Sequence, residues 1–393
     1  DELDEKTLKV LLDTGVSVIG FDVVFSTSLE SVLPGYERPY LLSLRRGARD
    51  GRIVLGRVQH QVKPIEPFAG QRFAVGQDRN IRLVNAPEDP DGIIRRGPLA
   101  FTWREPDGTT RREASMAMEL AARKTGRQPE WDANGHLQFN GRAVRLAGDE
   151  AVQLNFDTRP GAVPPYSFAD LHACAGRGES AYFAEHFRNK VVLVGAVLDV
   201  EDRKLTSMRL ATQPEGQAQI PRCAHPPMEN LYDAQLARDS IPGVLLHATA
   251  VSNLLNGNEL KPLGWNARLG LLALVSLAAA ASVLALPAGR AALAFLILGG
   301  VWILSCLGVF LTGTVAPVLN ALGAAGLTFT LLLGYRFAVA DRDKRAIRQA
   351  FGLYLPTPVI DRMVAEDKPP MLGGEERVVT ILFSDIAGFT QLS

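Results

Sequence analysis

Charge is nearly missing from one long stretch of this chain: between Leu269 and Tyr335 the only charged residue is Arg290. Elsewhere neither sign dominates, with 42 Lys+Arg against 42 Asp+Glu over 393 residues, which excludes a protein built to coat nucleic acid. Cysteine is scarce too. Cys174, Cys223 and Cys306 are too few for a disulfide scaffold and show no metal-ligand spacing. The opening Asp-Glu-Leu-Asp-Glu-Lys has neither a basic nor an apolar region, so residue 1 does not begin a secretory signal. The chain is nevertheless 47% hydrophobic and 21% charged, which excludes a disordered or collagen-like protein, and its length implies two or more domains.

The uncharged stretch reads as three membrane spans. Residues 269–286 form an apolar run bounded by Arg268 and Pro287, just long enough to cross hydrocarbon. A second run follows at 291–311, and "TGTVAPVLN" breaks it. The third, 318–335, contains Asn320 and several glycines, small residues that suit helix packing in lipid. Buried helices of a water-soluble core would show a polar face, and these show none. Arg336, Arg342, Lys344, Arg345 and Arg348 follow the third span, whereas the loop before it is uncharged; the end after Arg336 is therefore expected in the cytoplasm. Residues 1 to about 262 then lie outside, with Arg290 inside, although Lys261 and Arg268 oppose this weakly.

The outer region mixes helix and strand signals. "LDEKTLKVLLDTG" places Leu3, Leu8, Leu11 and Leu12 near helical spacing, with Gly15 as its cap. "VSVIGFDVVFS" (16–26) follows as a buried strand, and "NKVVLVGAV" (189–197) repeats the pattern after the helical "ESAYFAEHFR". Such alternation predicts α/β layering, and Asp89–Gly92 carries turn chemistry. Asp22 reads first as a carboxylate hydrogen-bonded at a strand end and second as a ligand contact. Asp199, Glu201 and Asp202 cluster after a predicted strand, where α/β folds bind ligands, though a solvated charged loop is the plainer reading. His247 lies on an apolar face with no partner at metal spacing and reads as a packing histidine. Cys174 and Cys223 would face an oxidising space and could pair.

Five segments in order, "IGFDVVFS", "EDPDGIIRRGPL", "LNFDTRPGAVPPYSFADL", "KVVLVGAVLDVEDRKLTSM" and "IPGVLLHATAVSNLLNG", resemble the second CHASE family of extracellular sensor domains. The resemblance implies an extracytoplasmic ligand-sensing domain (1–262), three transmembrane helices (263–338) and a cytoplasmic output. It also implies an anchoring helix upstream of residue 1.

After the spans, "KRAIRQAFGLYL" aligns Ile347, Ala350, Phe351 and Tyr354 on one helical stripe, too short to stand without a partner helix. Val378–Phe383 then read as a buried strand ending at Ser384-Asp385. An aspartate there, followed by a glycine, is a recurrent way to hold a divalent cation beside phosphates, and equally a structural feature. "FGLYLPTPVIDRMV" with "LGGEERVVTILFSDIAGFT" resembles the linker (339–376) and the start (377–393) of the α+β ferredoxin-like catalytic domain of class III adenylate and guanylate cyclases.

By this resemblance Asp385 and the Ile386 carbonyl would hold two Mg²⁺ or Mn²⁺ ions. Ala387, Gly388, Phe389 and Thr390 would lie along the nucleotide phosphates, and the site would form in a homodimer. The family's second metal aspartate and its transition-state residues would lie beyond Ser393, so the sequence reads as a piece truncated at both ends and inactive alone. The expected whole is a multi-pass receptor adenylate cyclase of a bacterial inner membrane, converting ATP to cyclic AMP under an unknown extracytoplasmic ligand and binding no nucleic acid. A guanylate cyclase, or a non-catalytic receptor with a degenerate cyclase-like output, is the alternative.

Overall fold

The computed structural model describes residues 2–340 apart from 61–62, 105–106, 134, 149, 157–162, 198–202, 208–221 and 225–239; further on it describes 351–352, 355–357, 360–361, 378 and 380–383. Two compact units result, Asp1–Arg268 with Ile303–Pro317, and Leu269–Trp302 with Val318–Ser393.

The first unit is built on a four-stranded parallel sheet in the order Val191–Val194, Val18–Phe21, Ile53–Arg57, Ile81–Leu83. Helix Glu2–Thr14 leads into it, burying Leu8, Leu11 and Leu12, and stops at Gly15, whose φ of +86° suits glycine. Side chains alternate between two cores. Val18 and Val54 meet Met116 and Leu120 of helix Met116–Thr125 and Leu246 and Ala250 of helix Gly243–Asn256. Ile19, Phe21, Ile53 and Leu55 meet Leu8, Leu12, Leu44 and Phe183 on the other face. A sheet buried on both faces must be apolar at successive positions, which is why these strands read as continuous hydrophobic runs. Gly20 leaves room for helix Met116–Thr125: a Cβ there would sit 2.7 Å from Leu120 Cδ1 and force that side chain to move.

The α/β layering expected from sequence is present, with shorter strands. The run 16–26 supplies only Val18–Phe21, because the flanking strands offer no pairing beyond it and the chain leaves after Asp22 donates to the Val194 carbonyl at 2.7 Å. The run 189–197 supplies Val191–Val194, and Gly195 then turns beneath Val244. Asp89–Gly92 closes as a turn, with the Gly92 amide donating to the Asp89 carbonyl at 2.8 Å. Antiparallel strand pairs decorate one side, among them Ala100–Arg104 with Thr110–Ala114.

Among the described residues, three helices are long and apolar enough to cross a bilayer: Trp265–Ala285, Ala288–Phe310 and Val318–Val339, with mean hydropathies of 2.0, 2.4 and 1.5. Val275, Ala279, Ala321 and Ala325 form a small core beside Phe295 and Phe329, which stack at 4.5 Å. Small side chains let helix backbones approach closely, the usual packing solution in lipid. Arg336 Nη1 donates to the Val283 and Leu286 carbonyls at 2.6 Å each, satisfying the end of the first span's helix.

One expectation fails here. Val378 and Thr380–Phe383 are neither strand nor buried; Leu382 and Phe383 are about nine-tenths exposed. A strand exists only by hydrogen-bonding to a neighbour, and no described segment pairs with this one.

Candidate functional site

In the four-stranded sheet the connections run one way from Val18–Phe21 through Ile53–Arg57 toward Ile81–Leu83, while Val191–Val194 lies on the other side of Val18–Phe21. The topological switch point therefore falls between Val18–Phe21 and Val191–Val194, and α/β folds bind ligands at the carboxyl ends there. Asp22 is the first residue beyond that edge. Its side chain is 8% exposed, and Oδ1 lies 3.6 Å from Nε2 of His247, itself 5% exposed. The same Nε2 lies 3.0 Å from the Val84 carbonyl, just past strand Ile81–Leu83. A carbonyl only accepts, so Nε2 carries the proton and points between two oxygens. The result is a buried carboxylate–imidazole couple joining two strand ends to helix Gly243–Asn256.

Sequence reasoning flagged Asp22 and His247 singly and gave His247 a packing role. It is buried as expected, and it also faces a carboxylate, a pairing between residues 225 positions apart that no local pattern signals. Asp199, Glu201 and Asp202, which follow strand Val191–Val194 in the chain, lie outside the described residues.

Helix Gly243–Asn256 runs from this corner along the chain to the segment that precedes the first span. At 14 residues it is about 21 Å long. Its far end is tied by Asn253, whose Oδ1 accepts from the Asn155 amide at 2.8 Å and whose Nδ2 donates to the Asn155 carbonyl at 3.0 Å. Arg142 donates to the Leu254 carbonyl at 3.1 Å and grips both carboxylate oxygens of Glu259, whose side chain is fully buried. Leu260 then bridges to Gln153, and Lys261–Pro262 pairs in parallel with Thr314–Val315. The segment entering the first span is thus hydrogen-bonded to the loop between the second and third. Since two spans separate those segments, the pairing requires that both crossings return to one side.

A second tether lies under the opposite face. Cys174 and Cys223 form a disulfide with Cα atoms 5.8 Å apart, realising the pairing that the sequence left open. Asp170, 1% exposed, accepts from the Cys223 amide at 2.9 Å and the Ala224 amide at 3.0 Å. Disulfides belong to oxidising compartments, which fits an extracytoplasmic domain. Near the turn at Asp89–Gly92, Asp91 is exposed, and its hydrogen bonds with Arg95 hold its carboxyl down at about 2.

Among the described residues, no group of three His, Cys, Asp or Glu side chains is placed to hold a metal ion. The metal residues expected from sequence, Asp385 and Ile386, and the phosphate loop Ala387, Gly388, Phe389 and Thr390 lie outside the described residues. So do Ile347, Ala350 and Tyr354 of the linker stripe.

No curated protein and no solved structure matches the chain. Residues 2–284 match the CHASE2 domain, a span that covers the layered α/β unit, the Asp22–His247 corner and the first membrane helix. The chain belongs to the CHASE2 family, as an extracytoplasmic sensor domain carried on membrane-spanning helices.

Proposed function

We propose that the full-length protein is a receptor adenylate cyclase in which the CHASE2 domain controls conversion of ATP to cyclic AMP and pyrophosphate. The observation that carries this reading is the string "LFSDIAGFT" at 382–390, which follows the three apolar spans in the chain, in the order of a receptor with a class III cyclase output. Three crossings would put that string on the side opposite the sensor, and the basic residues after Arg336 support the cytoplasm as that side.

Asp385 and the Ile386 carbonyl offer only oxygen, the donor chemistry suited to Mg²⁺ or Mn²⁺. Two such ions supply charge neutralisation at the phosphates and activation of the ribose 3′-hydroxyl. Asp385 would hold them, and the backbone from Ala387 to Thr390, opened by Gly388, would lie along the phosphate oxygens. The new bond joins the 3′-oxygen to the α-phosphorus, and the α–β anhydride breaks to release pyrophosphate. The linker stripe at Ile347, Ala350, Phe351 and Tyr354 would pair two subunits.

For signalling, the Asp22–His247 corner is the input and helix Gly243–Asn256 the lever. The Arg142–Glu259 pair and the Lys261–Pro262 with Thr314–Val315 ladder hold the chain just beyond the lever's far end.

Cyclic AMP made by the full-length protein in membranes with Mg²⁺ or Mn²⁺ tests the chemistry. Asp385→Ala is expected to abolish it. Cyclic GMP instead, no cyclic nucleotide from either triphosphate, or undiminished activity in the variant would overturn the reading.

A further inference from the structure

The amino-terminal edge of the central sheet, opposite the Asp22–His247 corner, holds a separate cleft of about 770 Å³, within the size range of small-ligand sites. Helix Arg38–Arg49 supplies Arg45 and Arg49 to its wall, the turn after helix Ala69–Val75 supplies Arg79, and Phe73 stands beside them. The floor is closed and electrically settled. Arg123, 14% exposed, donates to the Gly51 carbonyl at 3.0 Å, the Ile53 carbonyl at 2.9 Å, Asn80 Oδ1 at 2.8 Å and Glu119 Oε1 at 2.7 Å. Glu119 is also held by Arg82 at 3.1 Å, so the cleft's one carboxylate is already doubly compensated.

The rim is not settled. Arg45, Arg49 and Arg79 make no side-chain hydrogen bond or ion pair with any described residue, unlike Arg46 next to them, which pairs with Asp13 at 2.9 Å. Arg45 and Arg49 sit four residues apart on one helix face, an arrangement of like charges that costs stability, and the carboxylate that Arg49 feels, Asp50, is already hydrogen-bonded to Arg52. Gly76 at φ +80° and Gln77 at +58° turn the chain so that Arg79 reaches the same cleft. Phe73 is 71% exposed, an aromatic face left in water in the lining that it shares with the three arginines. Guanidinium forks match phosphate and carboxylate oxygens, and an aromatic ring favours an apolar body attached to them.

We infer that this cleft binds a small organic anion, with a phosphate or carboxylate group gripped by Arg45, Arg49 and Arg79 and an apolar or aromatic body laid on Phe73. The site is distinct from the Asp22–His247 corner and does not depend on what the output end does.

Calorimetric titration of the full chain in detergent with phenyl phosphate and with inorganic phosphate tests it. Phenyl phosphate is expected to bind about tenfold tighter than inorganic phosphate, since the ring buries apolar area on Phe73. Arg49→Gln and Arg79→Gln should each weaken both probes about tenfold, the loss of one charge-assisted contact. Phe73→Ser should remove the preference for phenyl phosphate and leave inorganic phosphate unchanged. Arg177→Gln removes the same charge from an exposed position outside the cleft and should change neither. Absence of saturable binding, equal affinities for the two probes, or a loss in Arg177→Gln matching that in the rim variants would overturn the inference.

Discussion

Leu42 in the sensor unit and Leu296 in the second span are both more than half exposed, at 58% and 71%, yet the two exposures mean opposite things. In the sensor unit most large side chains point inward onto two cores, and the outward leucines, Leu29, Leu33, Leu42 and Leu205 among them, lie in water at its surface. In the membrane unit the inward positions are small, at Ala279, Ala321 and Ala325, while Leu293, Leu296 and Leu327 point out. One region is held together by expelling water from its interior. The other has no such force between its helices and depends on close backbone approach and satisfied ends. Interior polar groups differ in the same way: the sensor unit buries Glu259 and Asp170 with partners, whereas the spans between Leu269 and Tyr335 carry only Arg290 as a charge.

The largest test of that contrast is Arg142→Ala. It strands a fully buried carboxylate, Glu259, and should cost about 3–5 kcal/mol of sensor stability, read as a lowered thermal midpoint of the full chain. Replacing both partners, Arg142→Met with Glu259→Leu, should recover most of the loss, because the penalty belongs to the unpaired charge.

Next comes Leu296→Asp against Leu42→Asp. In the second span the carboxylate meets hydrocarbon and should cost about 3 kcal/mol of insertion, measured as the fraction of protein integrated into membranes. On the sensor surface the same substitution meets water and should change the thermal midpoint hardly at all. Equal effects would erase the distinction between the two kinds of exposed leucine.

The smallest effect is expected at Asp91. Its folded carboxyl is held at about 2 by hydrogen bonds from Arg95, below the ordinary 3.8 of an aspartate. A depressed carboxylate contributes stability above its unfolded value and loses it as pH falls through the folded one. Asp91→Asn should therefore lower the thermal midpoint slightly at pH 7, with the gap to the natural chain closing between about pH 4 and 2. Because Asp91 is exposed, solvent screening keeps the effect small.

The spans were the most legible part of the sequence, since a membrane helix is specified by its own composition and needs no partner; the expected third span and helix Val318–Tyr335 coincide. The layered α/β character was legible for the same local reason, in runs such as Val191–Val194. Strand ends were not, because pairing with a neighbour decides where a strand stops, as at Asp22. Val378–Phe383 looked like a strand by its residues and lacks a described partner. The disulfide was half legible: the compartment was readable, the distance was not. Least legible were the Asp22–His247 and Arg142–Glu259 pairs, whose members meet only after the chain has folded across more than a hundred residues.

The central claim, a sensor and the loop before the third span on one side with the linker on the other, is tested most directly by labelling single cysteines in intact cells. Ala316→Cys and Glu366→Cys are each exposed to a membrane-impermeant maleimide before and after lysis. Cysteine at 316 should be labelled in intact cells, and cysteine at 366 only once the cells are broken. Labelling of position 366 in intact cells, or protection of position 316, would contradict the account.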